Sequence, residues 1–182
     1  DLKRSRERLE QAMQLTALNE SPDIRCETEI LAARHAAATQ GERAAAARLF
    51  EYNSRLDESA PLSFGRLRAF QAWFLTGCGD LAAAEGVLRQ LPAPVDSNRP
   101  PATLVVDPLQ EVRHLALCRY MIAAGKAQHA VNWLRHLLRL AERGGRLRSC
   151  VRINGLLALA QAARDQHDSA LRYVRETLML GE

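Results

Sequence analysis

The sequence predicts an all-α protein: an α-solenoid of about nine antiparallel helices arranged as four hairpin repeats. Three observations predict it. Ala, Leu and Arg dominate while aromatic residues make up 5% of the chain, which favours helix over strand nearly throughout. Apolar residues recur at helical spacing in successive segments bounded by Gly, Pro or a Ser/Asp cap. One turn pattern then recurs along the chain.

The first helix is expected from about Leu2 to Ala17. Ser21-Pro22-Asp23 opens the second, with Ser as cap and Pro in the first helical position, where its missing N–H costs nothing; Gln40-Gly41 closes it. The third covers about Glu42 to Leu56, the fourth Leu62 to Thr76, and the fifth Asp80 to Gln90, stopped by Leu91-Pro92. Five of the seven prolines then fall between Pro92 and Pro108, so residues 92–107 cannot be helical and form a connector between the first repeats (1–91) and the last two (108–182). Within it Thr103-Leu104-Val105-Val106 is β-prone but reads as an extended link, not a sheet strand. Asp107-Pro108 starts the sixth helix, ending near Ala124. The seventh spans about Lys126 to Glu142 and is closed by Arg143-Gly144-Gly145; the eighth covers about Leu147 to Arg164 and the ninth His167 to Leu180.

Four of the turns align without gaps: Gly41 to Ala46, Gly79 to Ala84, Gly125 to Ala130 and Asp165 to Ala170. Each is followed, one helical turn beyond its Ala, by a large apolar residue: Phe50, Leu88, Leu134 or Val174. Gly at the turn supplies the left-handed backbone that ends one helix. Ala lets two antiparallel helices approach closely, and the apolar residue is expected to fill the seam behind it. A single hairpin cannot bury this face, so neighbours must stack into an elongated, right-handed-curving solenoid.

Composition narrows the function. No stretch is long and apolar enough for a membrane span, and no charged and apolar leader precedes the first helix, so the chain reads as a soluble, cytoplasmic fragment of a larger protein with no membrane partner. The net charge of +4 is spread over helices where Arg and Glu alternate, unlike the concentrated basic stripe of a nucleic-acid reader. Cys26, Cys78, Cys118 and Cys150 lie far apart with no CxxC pair, as suits reduced thiols.

The turn-Ala-apolar spacing resembles the turn and second helix of tetratricopeptide repeats, although the Trp and Gly usual in their first helix are absent. From Gly79 to Gly181 the resemblance becomes more specific. GDLAAAEGVLRQL, a Pro-rich connector, VRHLALCRYMIAAGKAQHAVNWLRHLLRLAERGGRLRSCVRINGLLALAQA and SALRYVRETLMLGE together resemble the sensor arm of MalT-like, LuxR-family ATP-dependent (STAND-type) transcription regulators. Leu115, Leu117, Arg119, Gly125, Ala130, Leu134, Leu137, Ala141, Ser149 and Leu159 fit that pattern. Arg152 stands where an acidic residue is usual, and Asp165 where Gly is usual.

This resemblance implies a parent protein with an N-terminal nucleotide-switch ATPase and a C-terminal helix-turn-helix domain. ATP is expected in the first and DNA contact in the second, because these residues hold neither a GxxxxGK(S/T) phosphate loop nor a basic recognition helix. No cofactor is expected here. The tetratricopeptide habit of lining a concave groove with the first helix of each hairpin, carried over by register, picks out His35, Trp73, Arg119 and Leu159, and one level lower Thr28, Arg66, Val112 and Arg152. Trp73 with Arg66, Arg119 and Arg152 is the resulting pocket; packing of Trp73 beside Phe70 and Phe74 is the competing reading.

Other constellations are weaker. His129, Trp133 and His136 share a helix face and His114 lies one turn from Cys118, but two ligands do not make a zinc site. The scattered Cys and His lack the oriented third group and oxyanion donor that nucleophilic catalysis needs, so an enzyme is not expected. Arg143, Arg146, Arg148 and Arg152 could grip an anion or form a solvated turn. Trp133 and Leu140 mark outer helices whose exposure as one apolar patch would indicate self-association. The expected function is an effector arm that binds a small-molecule inducer or a regulatory protein and thereby controls DNA binding by the parent; a stand-alone peptide-binding scaffold is the alternative.

Overall fold

The computed structural model describes residues 2–17, 21–55, 61–91, 100 and 107–181. Among them are nine helices: α1 (Leu2–Ala17), α2 (Pro22–Gln40), α3 (Glu42–Asn53), α4 (Pro61–Gly77), α5 (Leu81–Arg89), α6 (Pro108–Ala123), α7 (Ala127–Arg143), α8 (Leu147–Ala162) and α9 (His167–Gly181). No strand occurs among the described residues. Helix starts and stops follow the expected signals. Asp80 accepts a hydrogen bond from Ala83 N at 3.1 Å, capping α5, and Pro22 occupies the first turn of α2. Ser21 holds the N-cap position there, but its hydroxyl makes no capping bond. The end of the third helix at Leu56, nearly all of the connector and the tetrapeptide Thr103-Leu104-Val105-Val106 lie outside the described residues.

The helices fall into two compact units, residues 1–91 and 92–182. In unit 1 each helix packs on the next, and the two hairpin first helices, α2 and α4, also touch. Their shared core holds Cys26, Ile30 and Ala33 of α2, Ala45, Ala46 and Leu49 of α3, and Leu67 and Phe74 of α4. Unit 2 repeats the plan, with α6 touching α8. Its fully buried side chains include Leu117 and Met121 of α6, Val131, Trp133, Leu134 and Leu137 of α7, and Ile153 and Leu157 of α8. On α7 the buried positions recur at three- and four-residue steps while Arg135, Arg139 and Glu142 face water, the pattern of a one-sided core helix.

Four turns close alike. Lys126 N bonds to Met121 O at 2.7 Å and Gly125 N to Ile122 O at 3.2 Å, and the same crossed pair of bonds recurs around Gly79, Gly145 and Asp165. Asp165 adopts this left-handed conformation at φ 57 without being glycine. Replacing it, Asp165→Gly is expected to raise stability by roughly 0.5–1 kcal/mol, the strain of an L-residue less the backbone entropy glycine gives up. A higher midpoint in urea unfolding checks this. Gly41 differs, with φ 93 and ψ 165, an extended conformation essentially reserved for glycine, and it is the only residue between α2 and α3.

That shorter turn shifts the packing two helical turns into α3. Since α3 starts immediately after its glycine, its buried face is displaced by one residue: Ala45 and Leu49 are fully buried and Phe50, expected in the seam, is 65% exposed. Leu88 and Leu134 do fill their seams. Val174 does not, because α9 packs on α8 alone among the described helices; it is half-exposed and Tyr173 is buried instead.

Candidate functional site

The residues singled out from the sequence sit on the first helices of the hairpins, and each unit places them differently. In unit 1, Arg66 of α4 reaches back to α2 and donates to the Glu27 carboxylate. Trp73, two turns further along α4, is half-buried against the unit 1 core. Both therefore lie toward the helix of the preceding hairpin. Thr28 is buried too, its hydroxyl 2.9 Å from that of Thr16 in α1, so it forms part of the α1–α2 seam and not an open groove wall. His35 is half-buried and lines a cleft of about 500 Å³ with Arg4, Ser5, Arg8, Leu9, Ala12 and Leu31, again between α1 and α2.

In unit 2, Arg119 and Val112 of α6 are half-buried, whereas Arg152 and Leu159 of α8 are exposed. Of the Arg cluster near the α7–α8 turn, Arg146 turns inward to pair with Glu111 of α6; Arg143, Arg148 and Arg152 face water. Glu111 is 5% exposed, so this ion pair is the most enclosed one described. Glu27 and Glu111 stand at the same distance before Gly41 and Gly125, and each is held by an Arg from the next first helix or its cap. The register of two glutamates relative to two turn glycines was the available sequence signal, and the reading by groove position passed over it.

The titratable groups elsewhere are muted by burial. Cys118 is fully enclosed, and desolvation drives its thiol far above the usual range. Burial likewise raises Cys26, and it raises the Tyr52 hydroxyl, which is hydrogen-bonded to that thiol. His136 is lowered, first by burial and then by Arg139 and Arg143. His114 stacks on Trp133 with ring centroids 5.7 Å apart. Trp133 is fully buried and Leu140 half-buried, so these two do not form an exposed apolar patch. In unit 2 the exposed apolar residues include Leu147 and Leu159 of α8 and Leu171, Val174, Leu178, Met179 and Leu180 of α9. Among the described residues no three His, Cys, Asp or Glu side chains converge to hold a metal ion, and no helix is long and apolar enough to cross a membrane.

One more concavity lies within unit 1, between α3 and α5 with α4 as its floor, with a volume of about 570 Å³. Its walls are mostly small or apolar: Ala46, Ala47, Phe50, Leu75, Ala83 and Val87. Nothing in the sequence pointed to it, because it results from the displaced phase of α3, which swings Phe50 out of the core.

A family model described as the MalT-like TPR region matches residues 1–182. No curated protein and no solved structure matches the chain.

Proposed function

We propose a regulatory role for this chain, which belongs to the MalT-like TPR region family. In this reading it is the effector-binding arm of a LuxR-type, ATP-dependent transcription regulator, and it is not itself an enzyme. The observation that supports it best is the family match over the full 182 residues, on a fold built of repeated α-hairpins. Such repeats expose long helix faces on a scaffold that each neighbour stabilises, a construction suited to binding rather than to bond-making.

The arm works in the cytoplasm by population shift. A small-molecule inducer or a regulatory protein that binds the arm better in the active arrangement of the parent biases the whole molecule, by about tenfold for each 1.4 kcal/mol of differential affinity. ATP binds the ATPase domain of the parent and DNA its helix-turn-helix domain. Trp73, Arg66 and His35 within unit 1, and separately Arg119 and Arg152 within unit 2, are the positions proposed for effector contact. Arg66 has a second duty, holding Glu27, so the exposed Arg152 is a cleaner position to vary than Arg66.

Thermal unfolding of the purified chain against sugars, organic acids, aromatics and nucleotides tests this reading. A ligand of the native state at a hundred times its Kd adds about 2.7 kcal/mol of stability. The expected result is a saturable rise in midpoint with one compound class, lost in Arg119→Ala or Arg152→Ala. A midpoint unmoved by every class removes small-molecule sensing from the proposal.

A further inference from the structure

The groove between α3 and α5 carries two features that are unfavourable in a free protein. Phe50 is 65% exposed at its wall. Gln71, on its floor, is 4% exposed, and its side-chain carbonyl oxygen has no hydrogen-bond partner. A buried acceptor without a donor is destabilising, and most buried polar groups in native structures have a partner. The walls around it are apolar at Ala46, Ala47, Leu75, Ala83 and Val87, and the other polar residues of the lining are Arg43, Cys78 and Asp80.

The remaining polar groups set the charge of an occupant. Arg43 and Asp80 flank the groove, and their opposite charges favour neither an anion nor a cation. Asp80 is further engaged by Ala83 N in capping α5. The volume of about 570 Å³ falls in the range of small-molecule sites, which are typically apolar with a few placed polar groups.

We propose that this groove binds a neutral aromatic small molecule bearing one hydrogen-bond donor. The donor meets the Gln71 amide oxygen while the ring lies against Phe50, Leu75 and Val87. The inference goes beyond the regulatory reading and does not depend on it: binding at this groove stands or falls whether or not the chain controls a promoter.

Indole and 1-methylindole are suitable probes, alike in ring and differing in the N–H. Titration of the purified chain, followed by backbone amide shifts, is expected to give saturable indole binding centred on α3, α4 and α5. Binding of 1-methylindole should be about tenfold weaker, the difference one unsatisfied polar group makes. Ala47 is exposed on the groove wall, so Ala47→Phe fills the space without touching the core and should abolish binding of both probes. Gln71→Leu removes the orphan acceptor and should bring the two probes to about equal affinity. Should that variant fail to fold, the two probes on the wild-type chain and on Ala47→Phe still decide. Absence of saturable indole binding, equal affinity of both probes for the wild-type chain, or indole binding that survives Ala47→Phe overturns the proposal.

Discussion

Replacing Arg146 by methionine is expected to destabilise unit 2 by about 3 kcal/mol, the usual cost of leaving a buried charge without its partner. Arg146 joins the start of α8 to α6 through Glu111, and that carboxylate is almost wholly enclosed. Methionine keeps most of the arginine stem and its packing, so the loss reports the charge and its hydrogen bond, not a cavity. The double variant Glu111→Gln with Arg146→Met should recover a large part of the loss, because no ion is then left in the interior. The equivalent link in unit 1, Glu27 to Arg66, is much more open, at 40% and 27% side-chain exposure, and cutting it should cost no more than about 1 kcal/mol. Urea unfolding of these variants, with Trp133 fluorescence read in a Trp73→Phe background, measures the differences in unit 2; circular dichroism serves for unit 1.

Trp133→Ala should be more damaging still, at about 4 kcal/mol. The indole is the largest fully buried side chain in the protein, and it stacks on the imidazole of His114 across the α6–α7 seam. Truncation removes that stack and leaves a cavity among helices that must stay close for Ala130 and Leu134 to remain buried. Trp133→Phe keeps an aromatic face for His114 and should cost clearly less. Because Trp73 is the other tryptophan and lies in unit 1, its fluorescence shows whether the first unit stays folded when the second melts. Two separated transitions in Trp133→Ala are the expected outcome, with the lower one confined to unit 2.

The helices were legible because their signals are local. A proline in the first turn, an aspartate cap and a glycine that reverses the chain act within a few residues, so the sequence located α2, α5 and α6 to within a residue or two. The hairpin repeat was legible for the same reason, with Asp165 adopting the turn conformation of the glycines it replaces. Helical phase was less so. Each residue advances the face by about a third of a turn, and whether one residue or three separate two helices decides which face is buried. Gly41 and Gly79 look alike as letters, yet the shorter link after Gly41 puts Leu49 in the seam where Phe50 was expected.

The candidate site was legible only in part for a related reason. A register taken from turn positions finds the right helices but cannot say which neighbour they face. Thr28 and His35 turn toward α1, and Arg66 and Trp73 toward α2 and the core, because each first helix packs against the hairpin before it. Pairing of Glu27 and Glu111 with arginines distant in sequence depends on that stacking, which periodicity within one helix does not encode. Orphaned Gln71 depends on it too, since its environment is made by three helices at once.

The most direct test of the regulatory account is promoter occupancy by the full regulator that carries residues 1–182, measured by footprinting with and without the compound that raises the unfolding midpoint of the isolated region. The account predicts that the compound changes occupancy in the intact regulator and that Arg119→Ala removes the response while leaving ligand-independent ATP binding in place. Occupancy that is the same with and without the compound, although the region demonstrably binds it, would contradict the claim that this arm controls DNA binding.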